Sequence, residues 1–600
     1  MNKFFADFTR IYRILPVVLQ RATLWVFGYV LLQAVLEVGT ILSMSFLAMS
    51  LAAPDKLLSI PAIAGVLQAF PWLDALRKDP RVFAMFIAAA TSILIAAKNC
   101  IMAYVSHTTT KLGERIALFA GETIFHNFLY SPYVRHLSGD SSAMFQALSW
   151  RGELGRVVIQ LMSVYIYATI SIAMAITLIF FTPAIILGVI FLMGCIAVGV
   201  YRGIRSSIDV AGVESADWRR HETTATLNAM NGIREALIYR QQSVFFDEFR
   251  KSCLGGVSPR AFIGLAPAIP TWVLETAGFV VLFTSVAIMY AFLDASMARI
   301  TGVLTMIMLI SWRLLPLFNR SLGALVSVRS ARQAALDCLV RVEDALRNPV
   351  YAQPEPDLEF LFHKQISFDN VAFRYPNAKT DSLHGITFSI FCGQRIGIVG
   401  RSGAGKSSLA TLLSGLVEPT CGRFLVDDNE LTPAQRSAYC TQIGYVPQNP
   451  YILAGTLAEN VAFSQWGKPR DPEKVLASCK MAELDIVEQR GIDMPLGQGG
   501  GGLSGGQAQR VSIARALYAN PSILILDEAT SALDTGIERS IMNTIFTLPQ
   551  TITTVIIAHR LTTVERCDKI IWIDEGRICA MGSPDELLSQ YEAFLIKSSS

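Results

Sequence analysis

Gly400-Arg401-Ser402-Gly403-Ala404-Gly405-Lys406-Ser407 stand between the apolar run 396–399 and an apolar stretch of helical spacing that begins Ser408-Leu409. Glycines at these positions let backbone N–H groups wrap a phosphate, while Lys406 supplies a cation to β- and γ-phosphates and Ser407 a hydroxyl to Mg²⁺. The helix that follows adds its positive end. A plain glycine turn is the alternative, and the strand-loop-helix setting argues against it. Downstream, the buried-strand run 523–526 ends in Asp527-Glu528, two carboxylates delivered to the exposed end of a strand beside that loop. Asp527 suits a metal shell and Glu528 an attacking water. Alone, such a pair reads as a helix cap, and the phosphate loop upstream reverses that preference.

Between these segments lies Leu503-Ser504-Gly505-Gly506-Gln507-Ala508-Gln509-Arg510. Here the sequence resembles the ABC ATPase family, whose signature motif it matches at every defining position. The resemblance implies that the Ser504, Gly505, Gly506 and Gln507 segment, at a helix N-terminus, holds the γ-phosphate of an ATP bound to the phosphate loop of a second subunit. It implies nucleotide contacts from Tyr375, Gly400, Arg401, Ser402, Gly403, Ala404, Gly405, Lys406, Ser407, Ser408, Gln448 and Asp534. Metal ligation would fall to Ser407, Gln448 and Asp527, and catalysis to Glu528, His559 and Lys406. ATP and Mg²⁺ are the implied cofactors. Taken singly, Tyr375 could be a strand aromatic, Gln448 a turn residue, Asp534 a cap and His559 a surface imidazole. Before the signature, Gly497-Gln498 runs into Gly499-Gly500-Gly501-Gly502, where the family commonly has Gly-Glu-Arg-Gly. The loop is therefore expected to be pliant and short of two charges.

The elements that must position these residues divide the chain. With 600 residues and only 16% charged, the chain exceeds one domain and is too apolar to be wholly soluble. Formal net charge is +3, with no basic block, so nucleic acid is not an expected partner. Ten cysteines are scattered without CxxC pairs, which excludes a disulfide scaffold or a thiolate metal site and suits a reducing compartment. Apolar runs at 22–51, 82–104, 157–181, 184–200, 263–293 and 300–318 predict six membrane-spanning helices. The first is too long for a cleaved leader. An even number returns both ends to one side, and Arg10, Arg13, Arg21, Lys111, Arg115, Arg202 and Arg205 make that side cytoplasmic, across an inner membrane. An interfacial helix is expected over 4–19 and a short external helix over 63–76. Proline-interrupted residues 346–362 read as a linker between a membrane domain, 1–345, and a nucleotide-binding domain, 363–600. In the latter, strand-like runs at 396–399, 443–446, 523–526 and 554–557 alternate with helical stretches. The fold class is thus an α-helical transmembrane domain followed by an α/β P-loop ABC-type nucleotide-binding domain.

Six spans followed by one such ATPase is the layout of ABC exporter half-transporters, which this chain resembles along essentially its whole length. One phosphate loop and one signature per chain imply a homodimer with two composite sites. Within that group, 270–279 and 312–316 resemble flippases of lipid-linked oligosaccharides, although Thr271 stands where such a flippase carries Arg. Lys98, Glu275 and Arg313 lie within or near the inner half of spans, where a lipid-exposed charge is expensive. A pyrophosphate headgroup would give the two cations a purpose. Snorkelling of Lys98 and a structural Glu275–Arg313 pair stand beside that reading. The expected substrate is an amphiphile, a lipid-linked glycan or other anionic glycolipid drawn from membrane lipid. Peptides or hydrophobic small molecules are the alternative cargo, and a non-transporting regulator on the same fold is a further one.

Overall fold

The computed structural model describes residues 2–52, 80–137, 141–181, 184–292, 297–348, 362–376, 378–497, 501–530, 533–558 and 560–599. The chain forms two compact units, one of residues 1–129 and 141–349, the other of 130–140 and 350–600. The external helix expected over 63–76 and most of the expected linker lie outside the described residues.

The first unit is helical: α1 (Asn2–Ile14), α2 (Val17–Ala52), α3 (Pro80–Tyr130), then, past a short α4 (Tyr133–Leu137), α5 (Ser141–Phe181), α6 (Ala184–Asn231), α7 (Ile233–Ile238), α8 (Gln242–Leu265), α9 (Ile269–Phe292) and α10 (Met297–Arg347). Among the described residues, five stretches are long and apolar enough to cross a membrane: Val17–Met44, Arg81–Tyr130, Ala143–Met174, Phe191–Asn231 and Gln242–Ile288. The expected sixth, 300–318, lies in the first part of α10, most of whose side chains there are outside the described residues. Apolar side chains along these helices point outward: Ile93 is 70% exposed, Phe191 75% and Phe283 67%. A water-soluble fold would hide them, whereas hydrocarbon solvates them. This is a membrane protein.

Beyond the apolar stretches the helices pack on one another. Ile116, Leu154, Leu339 and Val342 are fully or almost fully buried in a common core. Where α3 crosses α5, a Cβ on Gly155 would strike the Gly113 carbonyl, so only glycine permits that approach. The expected helix over 4–19 breaks before Pro16 into α1 and the start of α2. Ile11 is buried in the same core, and Asp7 and Arg10 pair with Arg332 and Glu343 of α10 at 2.7 and 2.5 Å. Much of the face expected against lipid is therefore covered by protein.

In the second unit, four strands form an antiparallel sheet, ordered β2 (Leu383–Phe391), β1 (Gln365–Phe373), β4 (Cys421–Val426) and β5 (Asn429–Glu430). A six-stranded sheet runs β12 (Arg577–Gly582), β11 (Lys569–Asp574), β3 (Arg395–Val399), β10 (Thr553–Ile557), β9 (Ile523–Asp527) and β6 (Ile443–Val446). Its strands are parallel except β12, which pairs antiparallel at the edge. β9 and β10 are buried at every residue, which is why they read as unbroken apolar runs. The helices that matter below are α11 (Lys406–Leu413), α12 (Gly505–Tyr518) and α13 (Thr535–Phe546). α11 begins at Lys406, α12 at Gly505 and α13 directly after its cap Asp534, three residues that the functional reading of the sequence singles out.

Candidate nucleotide site

β3 delivers the chain into the 400–405 loop, and α11 carries it out. Gly405 takes φ +104°, and a Cβ there would press on the Ser382 carbonyl oxygen at 3.0 Å, so the turn into α11 demands glycine twice over. Lys406 is 5% exposed, and its ammonium donates to the carbonyl oxygens of Gly400 and Arg401 at 2.7 and 3.0 Å. Burial holds that ammonium below its usual pKa against the pull of Glu528 and Asp527.

Ser402, Gly403, Gly405, Lys406, Ser407, Ser408, Gln448 and Glu528 line one open cavity of about 610 Å³. Asp527 is 8% exposed and accepts a hydrogen bond from the Tyr445 hydroxyl at 3.1 Å. Burial pushes its carboxyl above the usual range, with Tyr445 pulling the other way and Glu528 adding to the rise. By chemical type, the Asp527 carboxylate, the Ser407 hydroxyl and the Gln448 side-chain oxygen are all oxygen donors of the kind hard cations take. Glu528 has φ +51°, a left-handed conformation uncommon for a non-glycine residue. Its N–H donates to the Ile557 carbonyl at 3.0 Å, and its carboxylate accepts from the Gln448 amide at 2.6 Å. The strained turn thus aims a carboxylate into the cavity instead of along the strand. Tyr375 stands over the start of α11, its hydroxyl 3.1 Å from Ser408 Oγ and its ring edge-on to Phe373.

Other expected site residues lie elsewhere. Arg401 is exposed, while Gly400 and Ala404 are buried beneath the loop. Ser504 caps α12 in a reciprocal box with Gln507, Gln507 N–H to Ser504 Oγ at 3.2 Å and Ser504 N–H to Gln507 Oε1 at 2.8 Å. Ser504 and Gly505 are exposed, and neither they nor Gly506 or Gln507 line the cavity. Asp534 caps α13 through the N–H groups of Gly536 and Ile537, both at 3.0 Å. His559 lies outside the described residues. Sequence reading missed Asp381, Ser382, Glu575 and Gly576, which also line the cavity. They come from the β1–β2 and β11–β12 turns, and no spacing signal joins them to the phosphate loop.

In the helical unit, Lys98 is 7% exposed and pairs with Glu37 of α2 at 2.9 Å. It therefore neither snorkels nor stands as a free cation. Glu275 is exposed on α9, and the Arg313 side chain lies outside the described residues.

Residues 383–531 match the family model for the ABC transporter. The chain carries an ABC transporter domain. The ATP-dependent lipid A-core flippase of Sodalis glossinidius is 40% identical over 227 residues, 38% of this chain and 39% of that protein. The leukotoxin export ATP-binding protein LtxB of Aggregatibacter actinomycetemcomitans is 44% identical over 227 residues, 37% of this chain and 32% of that protein. An ATM1-type heavy metal exporter of Novosphingobium aromaticivorans is 38% identical over 256 residues, covering 42% and 40%. The chain thus matches about two fifths or less of the length of these curated relatives. Along the whole chain, the structure of a bacterial Atm1-family ABC exporter with ATP bound superposes with TM-score 0.72, covering 98% of this chain and 99% of that one at 22% identity. The fold is therefore a helical membrane domain fused to an ABC-type α/β nucleotide-binding domain.

Proposed function

We propose that this chain is one half of an ATP-driven exporter of the cytoplasmic membrane, working as a homodimer. The observation that carries the reading is the half-built nucleotide site. One wall holds the phosphate loop, Gln448 and Glu528, while the Ser504 to Gln507 segment, which the ABC resemblance assigns to the γ-phosphate, is not among the residues that line that cavity, and Ser504 and Gly505 stand exposed. A second copy related by a two-fold axis would close both cavities at once. Gly403, Gly405 and Ser408 would hold the phosphates and Tyr375 the base. Lys406 would exchange its carbonyl partners for phosphate oxygens. Ser407, Asp527 and Gln448 would hold Mg²⁺, which neutralises phosphate charge when bound. Glu528, with its carboxylate already fixed by Gln448, would orient the attacking water. His559 is assigned the γ-phosphate on resemblance.

The substrate class we favour is an amphiphile with an anionic, glycan-bearing headgroup, supported by the flippase relatives of the ATPase segment. Export of a peptide cargo is the second reading, favoured by the likeness to a leukotoxin exporter over the same segment. Pairing of Lys98 with Glu37 weakens the expectation that Lys98 and Arg313 together grip a pyrophosphate. ATPase stimulation in liposomes by a lipid pyrophosphate-linked glycan, a glycolipid and a set of peptides separates the readings. Stimulation by peptides alone would overturn the favoured one, and hydrolysis by a monomer in detergent would overturn the dimer.

A further inference from the structure

Glu538, in the first turn of α13, is 8% exposed, and both of its carboxylate oxygens are engaged. Oε1 accepts the Thr530 hydroxyl at 2.9 Å and the Thr563 hydroxyl at 3.1 Å, and Oε2 accepts Arg560 Nη1 at 2.5 Å. These donors belong to two separate segments. Thr530 stands two residues beyond Glu528, whereas Arg560 and Thr563 follow β10, Arg560 being the next residue after His559 in the chain. The same two segments are joined once more, by the Glu528 N–H donating to the Ile557 carbonyl at the end of β10.

We propose that Glu538 is a positioning residue for hydrolysis, a buried carboxylate that holds the Glu528 turn and the segment after β10 in fixed register. The inference rests on the reading of Glu528 as the group that orients the attacking water. Glu538 touches neither nucleotide nor metal in this role. A Glu528 side chain held at a left-handed backbone position needs its turn fixed from outside, because the strained conformation is otherwise free to relax. Thr530 and Thr563 are uncharged donors that any acceptor could satisfy. Arg560 instead requires an anion for a charge-assisted bond, so the carboxylate is the specific element.

The test uses the full chain reconstituted in liposomes, with Glu538→Gln, Arg560→Met and their double variant, and Glu528→Gln as control. Glu538→Gln keeps one oxygen for the threonines but turns an N–H₂ toward Arg560. Its kcat is expected to fall roughly tenfold or more, with KM for ATP within about twofold, because an interaction serving only the reacting geometry moves kcat alone. Arg560→Met should fall comparably, and the double variant should be no worse than the poorer single, the mark of one coupled unit. Thr530→Val removes one hydroxyl at nearly constant volume and is expected to lower kcat by about threefold. It keeps the question open to test should Glu538→Gln fail to fold. A kcat within twofold of wild type in Glu538→Gln or Thr530→Val overturns the proposal, as does a rise in KM at unchanged kcat. Fully additive single variants overturn it too. If Glu528→Gln itself hydrolyses ATP normally, the reading of Glu528 fails instead.

Discussion

The nucleotide cavity and the charged positions of the membrane helices are both polar sites in apolar surroundings, yet they are built in opposite ways. At the cavity, the chemistry comes from residues at the ends of parallel strands: Ser402, Gly403 and Gly405 to Ser408 after β3, Gln448 after β6, and Glu528 just past the end of β9. A parallel sheet brings all its strand ends to one edge, so local motifs suffice to place the groups together. In the membrane helices, Lys98 takes its partner Glu37 from another helix across a packed seam. No local pattern names that partner. The difference teaches that short-range chemistry is written where topology does the assembling, and that ion pairing between helices is written only in the packing.

That contrast can be broken most forcefully at Lys98. Replacing it with Gln removes the counter-charge from a buried Glu37 carboxylate, with an expected cost of about 3–5 kcal/mol. Assembly or thermal stability of the full chain in detergent should drop, and Glu37→Gln in the same chain should restore most of it. Wild-type stability in the single variant would show the pair is not structural and return Lys98 to the substrate reading. Glu528→Gln should next separate binding from chemistry at the cavity. ATP binding should survive while phosphate release falls by at least about 100-fold, since an amide cannot polarise water as a carboxylate does. Comparable rates would strip Glu528 of its role.

Smaller effects sharpen the same comparison. Tyr375→Ala should weaken ATP binding by about 0.5–1.5 kcal/mol, the worth of one aromatic contact, and Tyr375→Phe much less. Equal losses in both variants would make the bond to Ser408, rather than the ring, the important contact. Asp427 provides the mildest case. Despite partial burial, N–H groups of His363, Gln365 and Lys364 hold its carboxyl below the usual 3.8. A depressed carboxyl contributes stability above its unfolded pKa and loses that contribution as pH falls through the folded one. Asp427→Asn should therefore cost about 1 kcal/mol at neutral pH, the gap between charged and neutral acceptors. The deficit relative to wild type should shrink below about pH 4 and vanish at still lower pH, read by thermal unfolding across a pH series. A constant deficit would point to packing.

Much of the nucleotide-binding fold could be read before the structure was known. The four expected strands, 396–399, 443–446, 523–526 and 554–557, fall within β3, β6, β9 and β10; burial on both faces makes β9 and β10 conspicuous, while β6 alternates between buried and half-buried residues. The phosphate loop and the Asp527-Glu528 pair were equally legible, since each is a contiguous string. Tyr445 was not, although it sits three residues before Gln448 and reaches Asp527, because an aromatic on a half-buried strand reads as packing. Asp381 and Glu575 were also invisible: they reach the cavity from turns whose sequences carry no phosphate-binding pattern. Among the membrane helices, hydropathy located the apolar stretches but not where helices end. α3 continues to Tyr130 through charged residues that carry no lipid signal.

The short helix α4 groups with residues 350–600, not with the helices that flank it in sequence. Its Val134 packs against the core that holds Phe368, Phe388 and Tyr439. The ATPase unit is therefore discontinuous in the gene. A chimera that exchanges only residues 350–600 between two such proteins would keep the host's 130–140 against a foreign apolar surface. The heritable module that can be traded intact must include both segments, so substitutions at Val134 and at its contact surface are expected to travel together when such chains diverge.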